Sequence, residues 1–279
     1  MRGRIKKLSR KRLAVYAALI IFALIALRCD IAVSCYEIKT DKVKESTRLV
    51  LLTDLHSSYY GSGEKELIAK IEELEPDYIL LGGDIADDKV PHERTWQLLE
   101  AIGKKYHCYY VSGNHEYWSG EMGAIKDKIS SYGVEVLEGE SIDLGDNICL
   151  TGIDDPEIYG SFDLSEEWTQ ELEQLDSSIS GSAFNVLLSH RPEAYEYYKN
   201  TDFELVLAGH AHGGQWRIPF ILNGLYAPNQ GLFPKFAGGS YDLDLGGGKM
   251  LVSRGLCRDL KPRVFNRPEI VVADIKPVQ

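Results

Sequence analysis

Five short apolar runs in this chain each stop on a residue able to bind a metal, and this limits the possible fold more than any other feature. The runs are LVLLTDLH (49–56), YILLGGD (78–84), YYVSGNHE (109–116), NVLLSH (185–190) and LVLAGHAH (205–212). Their length and their glycine or polar ends read as buried strands emptying into loops. Between them lie helix-length stretches, such as 64–74 with Leu67, Ile68, Ile71 and Leu74 at helical spacing, followed by 93–104, 123–132, 165–175 and 192–199. Further strands are expected at 134–139, 147–154, 240–245, 249–254 and 269–275. Strands alternating with helices predict an α/β fold with parallel sheet covered by helices. Crevices of such sheets form outside the carboxyl ends of the strands, so groups far apart in sequence meet there.

The residues at those ends are Asp54, His56, Asp84, Asn114, His115, His190, His210 and His212. Singly, each has a plain structural explanation: Asp before a loop caps a helix or makes a turn, and Asn after Gly is a turn former. Five of the chain's seven histidines placed at strand ends together argue for a site. In an extended chain, residues i and i+2 face the same way about 6.5 to 7 Å apart, so His210 and His212 are expected to converge. His92 and His107 are read as structural.

The ends of the chain differ in charge. Arg2, Arg4, Lys6, Lys7, Arg10, Lys11 and Arg12 make the first twelve residues strongly basic, and Leu13 to Leu27 follows with fifteen uncharged residues. This predicts a basic segment (1–12), a short transmembrane anchor (13–27), a linker (28–47) and a catalytic body (48–279). The positive-inside tendency then puts the N-terminus in the cytoplasm and the body outside the plasma membrane; a peripheral helix is the alternative. The remainder holds 24 basic against 42 acidic residues, which argues against general affinity for nucleic-acid backbones. Five cysteines, Cys29, Cys35, Cys108, Cys149 and Cys257, show no CxxC spacing, so neither a zinc finger nor a disulfide framework is expected.

The ordered motifs DxH (Asp54, His56), GD (Asp84), GNHE (113–116), His190 and GHxH (209–212) resemble the calcineurin-like metallophosphoesterase superfamily over residues 48 to 275. The continuation GHAHGGQWRIPF, APNQGLFPKFAGG, VSRGLC and NRPEI is similar to its bacterial membrane-anchored branch, which includes phosphodiesterases and UDP-2,3-diacylglucosamine pyrophosphatases. Cys257 departs from that branch, which usually has glycine there. The resemblance implies a four-layer α/β/β/α sandwich carrying two divalent ions, Mn, Zn or Fe. It assigns Asp54, His56, Asp84 and His212 to one ion and Asp84, Asn114, His190 and His210 to the other, with Asp84 bridging.

The implied reaction is hydrolysis of a phosphodiester or pyrophosphate bond by a hydroxide bridging the ions, with His115 assisting the leaving group. The expected substrate is a phosphorylated small molecule or a membrane or cell-envelope lipid. Phosphomonoesterase, nuclease and non-catalytic scaffold are the alternatives; no obligate protein partner is inferred. Gly213 and Gly214 are expected to let substrate approach the backbone. Arg254 and Arg258, with Lys261 and Arg263, are candidates to neutralise a second phosphate. The aromatic segment 216–236 reads as a lip beside the site, and Asp154-Asp155-Pro156 resembles a family GxDD segment.

Overall fold

The computed structural model describes residues 10–160, 164–243, 247–258 and 262–278. Two six-stranded sheets stack face to face. The first runs in the order β1 (Ala32–Thr40), β14 (Glu269–Pro277), β2 (Thr47–Leu52), β3 (Tyr78–Gly82), β4 (His107–Val111) and β5 (Glu135–Val136). The second runs β12 (Gly239–Asp242), β13 (Lys249–Val252), β9 (Leu205–Ala208), β8 (Phe184–Leu188), β7 (Ile148–Gly152) and β6 (Glu140–Gly145). Strands β2 to β5 are parallel, as are β7, β8, β9 and β13, while β14 against β2, β6 against β7 and β12 against β13 are antiparallel. Both sheets are therefore mixed, with a parallel centre.

Strand alternation builds the layers. Val50 and Leu52 of β2 pack with Leu67, Ile71, Leu98 and Ile129 from helices α2 (Lys65–Glu73), α3 (Glu93–Ile102) and α5 (Met122–Ser131). Their neighbours Leu49 and Leu51 point the other way, onto Val186, Leu188, Leu205 and Leu207 of the second sheet. Leu187, Val206 and Met250 face outward onto Trp168 and Leu172 of α6 (Glu166–Ser178) and onto Tyr195 and Tyr198 of α7 (Tyr195–Tyr198). Strands with helices or sheet on both sides need apolar residues at every position, which explains their unbroken runs. Full burial of each such side chain contributes about 1.5 to 3 kcal/mol.

Four strands lie where none was expected: β1, β6 and the short pair β10 (Tyr226–Ala227) and β11 (Gly231–Leu232) within the expected lip. The presumed linker 28–47 contains β1, which pairs with β14 from Ala32 to Thr40. It is an edge strand in which exposed Cys35, Glu37 and Lys39 alternate with covered Ser34, Tyr36 and Ile38, so it lacks the apolar run that marks a central strand. The polar edge strand β6 escaped for the same reason. The expected strand 240–245 ends at Asp242, and residues 244 and 245 lie outside the described residues.

The membrane anchor is corrected. Helix α1 spans Arg10–Ala26, 17 residues beginning with three basic ones, and no helix among the described residues is long and apolar enough to cross a membrane. At 1.5 Å per residue it is roughly 26 Å long against a hydrocarbon core of about 30 Å. Only Ala26 is buried on it. Phe22 meets Phe265 edge-on with centroids 5.4 Å apart, and the Phe265 amide donates to the Ala26 carbonyl.

Candidate metal centre

The carboxyl ends of β2, β3, β4, β8 and β9 open on one edge of the sandwich, and each delivers polar side chains to it. Asp54 and His56 follow β2, Asp84 follows β3, Asn114 begins the short helix α4 (Asn114–Trp118) after β4, His190 follows β8, and His210 and His212 follow β9. Potential ligand atoms of Asp54, His56, Asp84 and His212 lie within 4.8 Å of one another, and those of Asp84, His190 and His210 form a second such group. The two groups share Asp84. Its Oδ2 is 3.6 Å from His56 Nε2 and 3.2 Å from His190 Nε2. The His210 Nδ1 is 3.2 Å from His190 Nε2, and His212 Nε2 is 3.5 Å from Asp54 Oδ1.

These positions require unusual backbone. Asp54, His56, Asp84, His210 and His212 have φ of 50°, 47°, 52°, 62° and 47°. Left-handed conformation at non-glycine residues typically costs on the order of 1 to 3 kcal/mol each and persists only where surrounding structure enforces it. His210 and His212 thus reach different groups through left-handed turns beyond the strand, rather than by the alternation of an extended chain. A side chain at Gly113 is excluded, since its Cβ would lie 2.3 Å from Asp84 Oδ1.

Hydrogen bonds fix which atoms face the centre. The His56 Nδ1–H donates to Asp87 Oδ2 (3.0 Å), His190 Nδ1–H to the Gly82 carbonyl (2.8 Å) and His210 Nε2–H to Asn229 Oδ1 (3.0 Å). The opposite nitrogens turn toward the ligand groups, with His56 Nε2 3.3 Å from His212 Nε2 and His190 Nε2 3.2 Å from His210 Nδ1, an orientation usual for metal-binding imidazoles. Asp84 Oδ1 accepts the His115 amide (2.8 Å), whereas Asp84 Oδ2 and Asn114 Oδ1 are buried with no hydrogen-bond donor. Buried oxygens are seldom left so. Together with imidazoles and carboxylates they make a donor set that suits two divalent cations such as Mn, Fe or Zn.

Burial by itself raises the carboxyl of Asp84, but the imidazoles of His190 and His56 outweigh it and hold the group well below its usual range. Burial raises Asp54 and lowers His210 and His212, which keeps those two rings neutral. His115 lies outside these two groups and forms a third with His56 and Asp87. Its Nδ1–H donates to Asp88 Oδ1 (2.7 Å) with Asp87 Oδ2 at 3.4 Å, and its ring stands edge-on to His56 with centroids 4.3 Å apart. Burial opposes its protonation, yet Asp87, Asp84 and Asp88 prevail and push it up to about 9. A cavity of about 290 Å³ opens over His56, His115 and His212.

Several supporting residues went unread in the sequence. Glu116 is fully buried and accepts from the amides of Asp84, Ile85, Ala86 and Gly113 at 2.8 to 3.0 Å, tying the loops after β3 and β4 together. Arg191 is buried against Asp155 (2.5 and 2.8 Å) and reaches within 3.5 Å of His210 Nε2. Asp154 binds Ser112 and Lys126, each at 2.6 Å, so both Asp of the GxDD-like segment brace the site. Asp87 and Asp88 sit three and four residues past Asp84 in GDIADD, and that acidic spacing was a usable signal. Asn229 lies within the quoted run APNQGLFPKFAGG, but nothing in that run marks it as the partner of His210.

The residues expected at the substrate have partners or packing roles within the chain. Arg254 pairs with Glu269 (2.7 Å), and Arg258 pairs with Glu66 (3.4 Å) while its guanidinium lies 4.1 Å from the Tyr60 ring centre. Gly213 and Gly214 are accounted for by packing, because a Cβ would come within 2.2 Å of Asn266 Oδ1 and 2.3 Å of Gly224 Cα. Lys261 lies outside the described residues.

A family model for calcineurin-like phosphoesterases matches residues 47–214. The chain is 29% identical over 249 residues to an uncharacterized metallophosphoesterase of Campylobacter jejuni, covering 88% of this chain and 63% of that protein. It is 30% identical over 186 residues to one of Helicobacter pylori, covering 65% and 48%. The chain therefore spans about half to two thirds of the length of these curated relatives. A dimetal phosphatase of Danio rerio has a similar fold, with TM-score 0.52, 13% identity and coverage of 76% and 88%. The matched segment begins at β2 and ends at the His212 turn, so it contains both ligand groups, and the chain belongs to the calcineurin-like phosphoesterase family.

Proposed function

We propose that the protein is a dinuclear metal-dependent hydrolase of a phosphodiester or pyrophosphate bond. The observation that carries this reading is Asp84 Oδ2, one buried oxygen without a donor, held between imidazoles of two separate ligand groups. When bound, a pair of divalent cations acidifies water and withdraws charge from phosphoryl oxygens. Asp54, His56, Asp84 and His212 would hold one cation, and Asp84, Asn114, His190 and His210 the other. His115, kept in place by Asp87 and Asp88, faces the cavity beside the ligands and supplies a proton to the departing oxygen.

The rim favours a substrate with an apolar part. Phe220, Ile221, Leu232 and Phe233 of the lip are 109%, 82%, 67% and 66% exposed. The bridge of Trp216 to Val264 places the start of the lip beside Phe265, which holds the end of α1. Apolar side chains exposed all round a helix suit lipid better than a one-sided protein groove. The proposed location is therefore a membrane surface, with α1 and the lip in the lipid. A body outside the plasma membrane would need a crossing longer than the described part of α1.

The test loads the full chain with Mn²⁺ or Zn²⁺ and measures turnover of bis-p-nitrophenyl phosphate and p-nitrophenyl phosphate. Faster cleavage of the diester is expected. Preference for the monoester would make the protein a phosphomonoesterase, and no turnover with either metal would remove the hydrolase reading.

A further inference from the structure

A chain of ring contacts leads out of the metal centre. His212 stacks on His56 with centroids 5.0 Å apart, His56 meets His115 edge-on at 4.3 Å, and His115 meets Trp118 at 4.9 Å. His115 and Trp118 stand one turn apart on α4, so they share a face of that helix. Exposure rises along the chain: His56 is buried, the His115 side chain is 18% exposed and Trp118 is 42% exposed. Pro228 of the lip and the buried Arg263 also line the cavity over His56, His115 and His212, and Trp118 continues outward from its His115 side.

Trp118 is oriented against the usual habit of its kind. A tryptophan ordinarily buries its ring and keeps its N–H at the wet end. Here the indole N–H bonds the buried carboxylate of Glu157, which also lies 3.5 Å from Arg191 Nη2, while the body of the ring stays open to solvent. The turn Pro156–Tyr159 that carries Glu157 packs against α4 and keeps the ring in place. Core packing does not account for a ring held outside, and a role confined to Glu157 would need only the N–H. We infer that Trp118 is a stacking platform for the leaving group, and that this group carries a flat unsaturated ring set back from the phosphorus. The group bonded to the oxygen that His115 protonates leaves on this side of the centre, and Trp118 is the next surface it meets. A platform one ring beyond His115 is too far out for a ring joined directly to the phosphoryl oxygen, but suits one carried on a spacer the size of a sugar. This deepens the hydrolase reading and rests on it.

The test compares wild type with Trp118→Ala and Trp118→Phe in the Mn²⁺-loaded full chain. AMP and ribose 5-phosphate, which share phosphate and sugar and differ by the flat ring, are the probes, with phenyl phosphate as the case in which the ring is joined directly. Affinities are read from the rise in melting temperature. Wild type should hold AMP about 5- to 150-fold more tightly than ribose 5-phosphate, the usual worth of stacking one base on an aromatic side chain. Trp118→Ala should remove most of that preference and Trp118→Phe should keep part of it, while ribose 5-phosphate and phenyl phosphate bind all three proteins within about threefold. AMP should also quench the tryptophan emission of wild type more than that of Trp118→Phe, a comparison that survives if Trp118→Ala does not fold. A wild type that holds AMP no more tightly than ribose 5-phosphate, or holds neither, overturns the platform. Equal losses of both in Trp118→Ala, or equal quenching in Trp118→Phe, make Trp118 structural and also overturn it. A loss of phenyl phosphate as large as that of AMP overturns the set-back ring. Absent turnover of bis-p-nitrophenyl phosphate counts against the hydrolase reading alone, since neither the melting shift nor the quenching depends on turnover.

Discussion

On the floor of the cavity the backbone is bent into positive φ at five ligand positions and buried oxygens stand without donors; on the rim, Arg254 and Arg258 are satisfied by Glu269 and Glu66. The floor is arranged for groups that are not part of the chain, while those two rim arginines are arranged for the chain itself. Strain of this kind can be kept only where the supporting structure is stiff, and here Glu116, Arg191 and the two stacked sheets supply the stiffness. The rim is tied more locally, with the Gln230 side chain bonding both backbone groups of Phe236 at 2.9 Å. Its lip is held by the short hairpin β10 (Tyr226–Ala227) and β11 (Gly231–Leu232) and by isolated bridges.

The contrast predicts that floor substitutions are severe and rim substitutions mild, with Asp84 the strongest case. Asp84→Asn replaces the shared oxygen donor with a neutral amide and should lower kcat by at least about 10³-fold, more than four kcal/mol of transition-state stabilisation. Bound metal, measured by atomic emission, should fall from two ions to one or fewer. Near-normal metal and turnover would remove the two-ion assignment.

His115 sharpens the comparison, because it lies on the floor without belonging to either ligand group. His115→Gln should leave metal content unchanged and lower kcat by about 10²- to 10⁴-fold, the usual worth of general acid catalysis. The loss should be least for p-nitrophenolate, which departs unprotonated, and greatest for an alkyl or sugar alkoxide. Equal losses across leaving groups would keep His115 near the phosphoryl oxygens and exclude it as proton donor.

How much of this was legible follows from the same division. A strand buried on both faces leaves an unbroken apolar run, and a ligand at its end interrupts that run, so β2, β3, β4, β8 and β9 and all seven ligand candidates could be read directly. Edge strands β1 and β6 have one open side and alternate with polar residues, and they were passed over. Glu116 was in view inside GNHE, but three of its four amide partners lie in the loop after β3, which no spacing reveals. Arg263 was one of four cations in a single segment; only burial separates it from Arg254 and Arg258. The length of the apolar N-terminal run suggested a crossing, yet three of the seventeen helical residues are basic.

Asn229 is where the rim reaches the floor, since it accepts from His210 Nε2–H at 3.0 Å. Asn229→Ala should free that ring and weaken metal retention by about 10- to 100-fold, as loss of an outer partner of a ligating histidine typically does. Titration of the metal-free protein with Mn²⁺ reads this without any assay of turnover. An unchanged affinity would mean that Arg191 and Glu193, which also lie near His210, fix the ring alone.

The smallest effect is expected at Arg258. Its guanidinium lies over Tyr60 and reaches Glu66, whose side chain is 60% exposed. An ion pair with so exposed a carboxylate is worth about 0 to 1 kcal/mol, and the cation–π contact over the buried Tyr60 ring adds about 1 to 2 kcal/mol. Arg258→Gln should therefore cost about 2 kcal/mol of stability, read as a fall of roughly 4 to 8 °C in melting temperature for a chain of this size. Its kcat/KM on bis-p-nitrophenyl phosphate should stay within about threefold of wild type. If kcat/KM instead falls tenfold or more while the melting temperature holds, Arg258 leaves Glu66 for the substrate, and the division between a floor built for external groups and a self-satisfied rim no longer stands.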